Sequence, residues 1–184
     1  MDSEDKREES VFMLKKPQAG EFAEYFSPYV ELVPEGDLLL QLEQQVDEVI
    51  ALIGQITEEQ AVYRYAEGKW SLKEVLGHVA DTERVMSYRL LRIARGDTTP
   101  LPGFDESLFV SHSHANARSV NELLQDFAAV RIATVSLMRQ LDDPAWERRG
   151  VFSDHPGSAR ALAYIIAGHA IHHLNIVKER YLKL

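Results

Sequence analysis

The residues best suited to chemistry are His169 and His173, which lie near the C-terminus in the run GHAIHHLNIV. Residues four apart lie on one face of an α-helix, with their Cβ atoms about 6 Å apart. Leu162 and Ile166 precede them on the same face, which predicts that both rings point into the protein core. Buried imidazoles need polar partners, and a shared metal ion is one partner that this spacing allows.

A third histidine on another helix is needed to complete a metal site. His78 is the best candidate, because it lies at the border of an apolar stripe in a helical segment, and helix bundles build metal sites from facing helices. Three histidines leave a divalent ion its full charge and an open coordination position, as in catalytic sites. Asp81, one turn after His78, is expected to accept the outer N–H of a ligating histidine. It is alternatively a direct ligand or a solvated surface residue.

Each of these interpretations has a structural alternative. A histidine on an apolar face is more often hydrogen-bonded within the core than bound to a metal. His112 and His114 lie in a long loop. For each of them there are two alternatives, a position close to the site or a position on the surface. Ala170 stands where the HExxH motif of metalloproteases needs its glutamate. A peptidase function therefore lacks its general base.

Four amphipathic helical patterns are available to position these histidines. They are expected at about residues 37–54, 71–96, 119–141 and 158–181. Capping-box sequences predict that the second and third helices begin at Ser71 and Ser119, and that a short connecting helix begins at Thr57. Because no strand alternation is evident, the sequence predicts an all-α fold. The expected architecture is an antiparallel four-helix bundle, with a long loop at residues 97–118 between its second and third helices.

The 184 residues are enough for one domain with a sizeable core. Residues 1–35 are predicted to form an N-terminal tail and an irregular lead-in, in which residues 11–14 are an apolar patch that is a candidate for docking on the body. Residues 36–184 are predicted to form the bundle domain. Asp143 and Pro144 predict the N-cap and first position of a further helical turn.

Composition excludes several classes of function. The chain has 29 acidic and 20 basic residues and a formal charge of −9, which argues against nucleic acid as a partner. Cysteine is absent, so disulfides, cysteine-ligated zinc and a cysteine nucleophile are excluded. No apolar run approaches the roughly 18 residues of a membrane span, and the acidic N-terminus lacks a secretion signal. We therefore expect no membrane association and a cytoplasmic location.

Two motifs carry a family resemblance. They are KWSLKEVLGHVADTE at residues 69–83 and GHAIHHL at residues 168–174. In this order and at this separation they resemble the DinB-like family of bacterial four-helix-bundle metalloproteins, which includes the bacillithiol S-transferases. The resemblance covers roughly residues 36–182. It implies that His78, His169 and His173 hold a divalent ion, zinc and nickel being the metals most expected, and that the protein is a homodimer.

Three functions are compatible with this sequence. The first, suggested by the thiol-dependent S-transferases and a mycothiol-dependent isomerase among the relatives that it resembles, is a metal-dependent transferase. It would join a low-molecular-weight thiol to a small-molecule electrophile, and the metal would stabilise the thiolate. The second is a non-catalytic metal-binding stress-response protein. The third is a bundle whose histidines are only structural.

Overall fold

The computed structural model describes residues 13–182, which contain eight α-helices and one β-hairpin. The helices are α1 Ser27–Leu32, α2 Leu38–Ile53, α3 Glu58–Ala61, α4 Leu72–Ala94, α5 Glu106–His112, α6 Val120–Met138, α7 Asp143–Glu147 and α8 Ala159–Ile176. The strands are β1 Arg149–Phe152 and β2 His155–Ser158. The predicted tail at residues 1–10 and the first half of the apolar patch lie outside the described residues.

The four long helices, α2, α4, α6 and α8, form the bundle. α4 packs against α6 on one side and α8 on the other, and α2 closes the ring by contacting both α6 and α8. Apolar side chains fill the interior in two clusters, one around Leu76 and Phe127 and the other around Leu90 and Trp146. The all-α bundle predicted from the sequence is thus confirmed. Within residues 13–182 no helix combines the length and the apolar character that crossing a bilayer requires.

The predicted helix starts are present as hydrogen-bonded caps. Ser71 Oγ accepts from the Glu74 N–H at 3.2 Å, and the Glu74 carboxylate accepts from the Ser71 N–H at 2.8 Å. Ser119 and Glu122 form the same reciprocal pair at the start of α6. These bonds satisfy N–H groups that have no partner inside the helix. The start of α4, which sets the position of His78 along its helix, is therefore fixed by local sequence.

The lead-in contains a helix, α1, although the sequence predicted irregular structure there. Pro28 lies in the first turn of α1, where its missing N–H removes no hydrogen bond. This proline therefore opens a helix instead of interrupting the chain. α1 packs along α8 and buries Val30, which is 3% exposed.

The hairpin differs from the prediction of a fold without strands. Ser153 and Asp154 form its two-residue turn with φ angles of 50° and 65°, the left-handed conformation of a type I′ turn. β1 and β2 have four residues each and contain Gly150, Pro156 and Gly157. Such short strands show no clear alternation of apolar and polar residues, so their sequence lacks the pattern that predicts strands.

Two smaller differences concern loops. The predicted long loop at residues 97–118 contains α5 and a 3-10 turn at Ala115–Ala117. Asp142, not Asp143, caps α7, because its carboxylate accepts from the Ala145 N–H at 3.0 Å. Both aspartates can cap, and with Asp142 as the cap Pro144 lies in the first turn of α7.

A buried arginine connects all four bundle helices. Arg131 of α6, 1% exposed, donates from Nε and Nη2 to the two carboxylate oxygens of Glu83 on α4, both at 2.8 Å. Its Nη1 donates to Gln45 Oε1 at 2.6 Å and to the Leu42 carbonyl at 2.8 Å, both on α2. Gln45 Nε2 in turn donates to the Ala167 carbonyl on α8 at 3.3 Å. This network fixes the axial positions of the helices that carry the candidate ligands.

Replacing Glu83 by glutamine is expected to lower the free energy of unfolding by about 3 kcal/mol, because the Arg131 charge stays buried without its counter-charge. Glu43→Gln is the matched control, since Glu43 pairs with Arg139 on the surface. That change should cost less than about 1 kcal/mol. Urea denaturation measures both variants, and equal losses would show that burial does not distinguish the two pairs.

Candidate metal centre

Three imidazoles meet where α4 packs against α8. His78 Nε2 lies 3.0 Å from His169 Nε2, which lies 3.1 Å from His173 Nε2. A nitrogen from each ring lies within 4.8 Å of the others. Two nitrogens on one tetrahedral zinc ion lie about 3.3 Å apart, given Zn–N bonds of about 2.0–2.1 Å. The structure therefore brings the three predicted histidines together at a spacing that can hold one ion.

All three rings are neutral at pH 7, because burial disfavours their charged form. His78 is 3% exposed and His169 is 5% exposed. Burial, with a smaller effect of the neighbouring His172, lowers the pKa of His78 to about 4. Burial and the neighbouring rings lower the pKa of His173 to about 3 and that of His169 well below its usual range. Each ring therefore has a lone pair free for a metal, as ligation requires.

Hydrogen bonds within the cluster cannot satisfy all three rings. An imidazole nitrogen carries either one hydrogen or one lone pair. His169 Nε2 can therefore form one well-directed hydrogen bond, although both His78 Nε2 and His173 Nε2 lie within about 3 Å of it. A divalent cation accepts all three lone pairs at once. The buried nitrogens thus fit a metal ion better than they fit a purely hydrogen-bonded cluster.

Thr82, and not Asp81, lies beside His78, and Asp81 takes the solvated position that was one of its three alternatives. The Asp81 carboxylate pairs with Arg84 at 3.0 Å in a half-exposed position. Thr82 Oγ1, in contrast, lies 3.5 Å from His78 Nδ1 and is placed to hold the tautomer that leaves Nε2 free. His173 Nδ1 is buried, and no group among residues 13–182 forms a hydrogen bond with it.

Two aromatic rings that the sequence did not identify as site residues cover the histidines. Trp70, just before α4, packs on His78 with ring centroids 4.7 Å apart. Tyr29 of α1 contacts His169 edge-on at 5.4 Å and His172 at 5.3 Å. The position of Trp70 directly before the capping box at Ser71, where an apolar residue packs back on the helix, was a usable signal. Tyr29 gave none, because its contact depends on how α1 docks.

A glycine beside His169 allows that docking. A Cβ at Gly168 would lie 1.9 Å from the Tyr29 carbonyl oxygen, far inside van der Waals contact. Only a residue without a side chain lets the backbone of α1 lie directly against α8 at this point. The sequence GHAIH therefore specifies both ligands and the close approach that covers them.

A cavity of about 320 Å³ opens beside His173. Tyr65, Trp70, Tyr181 and Ile176 form much of its wall. The Tyr181 hydroxyl donates to the Trp70 carbonyl at 2.6 Å, which fixes two of these rings relative to each other. A larger cavity of about 550 Å³ lies between α2 and α6, away from the histidines. The cavity beside His173 is the smaller of the two, but it is the one that contacts a candidate metal ligand.

The loop histidines do not join the cluster. His112 and His114 are both exposed. His112 Nδ1 lies 2.9 Å from the Leu108 carbonyl within its own helix. His114 adopts a left-handed conformation with φ of 52° before the 3-10 turn. Their placement agrees with the surface alternative and not with a direct role at the triad.

Residues 41–177 match the family described as the DinB superfamily. A protein of Oceanobacillus iheyensis that carries the name "putative metal-dependent hydrolase" is 24% identical over 142 residues, which are 76% of this chain and 81% of that protein. The fold is similar to that of YfiT from Bacillus subtilis, described as a probable metal-dependent hydrolase with an unusual four-helix bundle topology. The TM-score is 0.73 at 17% identity, over 79% of this chain and 85% of YfiT.

The structure is also similar to that of a mycothiol-dependent maleylpyruvate isomerase. The TM-score is 0.63 at 12% identity, and the match covers 80% of this chain and 62% of the isomerase. At such low identities, both structural similarities show the fold alone.

Gly168→Ala is expected to lower the free energy of unfolding by about 2 kcal/mol, because the backbones of α1 and α8 must separate. Gly77→Ala is the matched control on α4 beside His78. A Cβ there would meet Ala115 Cβ at 3.4 Å, an ordinary contact, and alanine favours the helix by up to about 1 kcal/mol. Urea denaturation compares the two. Equal stability of both variants would contradict the close approach at Gly168.

The free energy of unfolding of the metal-free protein is expected to decrease as the pH is lowered from about 6.5 to 5. In this window the unfolded chain binds protons on histidines, whose usual pKa is about 6.5, whereas folded His78 and His173, with pKa values of about 4 and about 3, do not. Each such histidine contributes a slope of about 1.4 kcal/mol per pH unit once the pH is below 6.5. Urea denaturation at pH 7.5, 6 and 5 measures it.

The variant His78→Gln/His173→Gln is the control for this pH dependence. It removes two of the shifted groups and should reduce the slope above pH 5, where the carboxylates remain ionised, to the part that His169 and His172 still contribute. An unchanged slope in the double variant would assign the pH dependence to other groups.

Proposed function

The chain belongs to the DinB superfamily, and on that basis we propose that it is a metal-dependent transferase that joins a low-molecular-weight thiol to an electrophile. His78, His169 and His173 hold a divalent ion, with zinc or nickel expected. The observation that carries this proposal is the convergence of three neutral imidazoles, one of which, that of His173, lines an aromatic cavity. Three neutral ligands leave the ion its charge and an open position toward a small molecule.

The ion and the chain have separate roles in this proposal. A divalent ion supplies Lewis-acid chemistry that favours the thiolate form of a thiol at neutral pH. The chain keeps its ligands neutral by burial, orients His78 through Thr82, and shields the rings with Trp70 and Tyr29. The sulfur nucleophile comes from the thiol substrate, which agrees with a chain that has no cysteine.

The reaction balances without an oxidant or a reductant. The sulfur of the thiol forms a bond to an electrophilic carbon as the bond from that carbon to its leaving group breaks. The thiol proton and the leaving group depart together as the conjugate acid. The aromatic cavity beside His173 holds the electrophile in an orientation that brings its reacting carbon toward the triad.

A metal-dependent hydrolase is the second candidate, and the names of the Oceanobacillus iheyensis relative and of YfiT favour it. Water would then take the place of the thiol at the same three histidines. The homodimer and the cytoplasmic location implied earlier stay predictions.

The test begins with untagged protein, its metal content measured by elemental analysis. About one divalent ion per chain and turnover of 1-chloro-2,4-dinitrobenzene or a similar electrophile with at least one thiol of a panel are expected. His169→Ala should lose both the ion and the turnover above background, because it removes the central ligand. His112→Ala, an exposed histidine on α5, should keep both.

Each other outcome excludes a function. Full turnover in metal-free His169→Ala would contradict the mechanism. Cleavage of esters or amides that needs the ion but no thiol would identify a hydrolase. Stoichiometric metal without any turnover would indicate a non-catalytic metal-binding protein, and protein without metal would leave the histidines structural.

A further inference from the structure

A cationic side chain, that of Lys69, lies at the wall of the cavity beside His173. Lys69 lines the cavity together with Trp70, to which it is joined in sequence. Lys69 forms none of the ion pairs among residues 13–182, whereas nearby Arg64 is neutralised by Glu74 at 2.7 Å. Among the described residues that line the cavity, Lys69 is the one with a formal charge, and this charge is positive in a chain whose formal charge is −9.

The backbone that carries Lys69 is held in place. Arg64 Nη1 donates to the Lys69 carbonyl at 2.7 Å, and Tyr181 donates to the carbonyl of the next residue, Trp70, at 2.6 Å. Two consecutive carbonyls are thus held by side chains from two other parts of the chain. The ammonium group extends from a fixed point, which lowers the entropy lost when it binds an anion.

The remaining walls are suited to a flat apolar group. Tyr65 and Tyr181 contact each other edge-to-face with centroids 5.2 Å apart, and Trp70, whose carbonyl accepts from Tyr181, packs on His78. Such rings bind planar apolar bodies by stacking and by edge contacts. Ser107 of α5 adds a hydroxyl at the same cavity.

We infer that this cavity is the binding site for an electrophile with a planar apolar body and a carboxylate, and that Lys69 binds the carboxylate. The inference rests on the proposed function only in assigning this ligand the role of the electrophile. The binding of a planar carboxylate at Lys69 does not depend on that function. A carboxylate at Lys69 places the far end of the molecule toward His173. Lys69 is a specificity residue in this arrangement, and it takes no part in holding the metal.

The test is equilibrium binding, measured by calorimetry without any thiol. The probes are 3-phenylpropanoate and its neutral match 3-phenylpropanamide, titrated into the protein as purified and into metal-free protein. The acid is expected to bind about fivefold more tightly than the amide, a typical effect for one partly exposed ion pair. Lys69→Gln should remove this preference by weakening the acid alone. Lys178→Gln, the same charge change at an exposed position, should leave it intact.

Three results would overturn the inference. Equal binding of acid and amide to the native chain would show that Lys69 does not select an anion. Equal weakening of both probes in Lys69→Gln would reduce Lys69 to a packing role. A preference for the acid that needs the metal and ignores Lys69→Gln would mean that the carboxylate binds the ion.

A second pair of probes shows whether the carboxylate that Lys69 binds belongs to the electrophile or to the thiol. If 3-sulfanylpropanoate, compared with 2-sulfanylethanol, depends on Lys69 and 3-phenylpropanoate does not, the carboxylate belongs to the thiol and the assignment to the electrophile is wrong. Because these measurements need no turnover, failure of the transferase proposal and failure of the Lys69 site are distinguishable. The tighter binding of the acid over the amide can be measured even if the protein has no catalytic activity.

Discussion

The contact between α4 and α8 is constrained by three imidazole rings whose nitrogens converge in a buried region. Burial excludes the charged form of each ring, and the close spacing prevents hydrogen bonds from satisfying all of them. The surroundings must therefore keep water and protons out while leaving the lone pairs available. Trp70, before α4, and Tyr29, on α1, provide this cover. Segments outside the four-helix core are thus required by the chemistry of the centre, and Gly168 makes the approach of α1 sterically possible.

The Arg131 network fixes the register that the histidine cluster needs. A buried ion pair adds little net stability over apolar packing, but any misaligned arrangement leaves its charges unpaired at high cost. Glu83 lies five residues after His78 on α4, and Ala167 lies two residues before His169 on α8. A slip of either helix would break the network and separate the histidines together. The Arg131 network and the histidine cluster therefore specify one alignment of the helices. Apolar packing alone would tolerate more than one alignment.

The sequence predicts most of what is local and less of what depends on docking. The starts of α4 and α6 follow from capping boxes at Ser71 and Ser119, and His78 was the predicted partner of the pair on α8. Positions i+3 and i+4 both neighbour a residue on a helix, so spacing alone does not decide between Asp81 and Thr82 as the group beside His78. The side-chain rotation and the competing charge of Arg84 decide it. The contact of Tyr29 has no sequence pattern, because it joins residues far apart in the chain.

The ligand set alone does not decide between a thiol and water as the nucleophile, since a cation held by three neutral nitrogens acidifies both. The size of the required pKa shift does distinguish them. A free thiol has a pKa of about 8.5 and needs a small shift to ionise at pH 7, whereas water starts at about 15.7. Hydrolytic sites commonly add a carboxylate as general base, but the cluster found within residues 13–182 consists of histidines alone. Its accessible side is an aromatic cavity with one lysine. At a site of this kind either nucleophile would depend on the ion for its ionisation, and a thiol needs the smaller shift of its pKa.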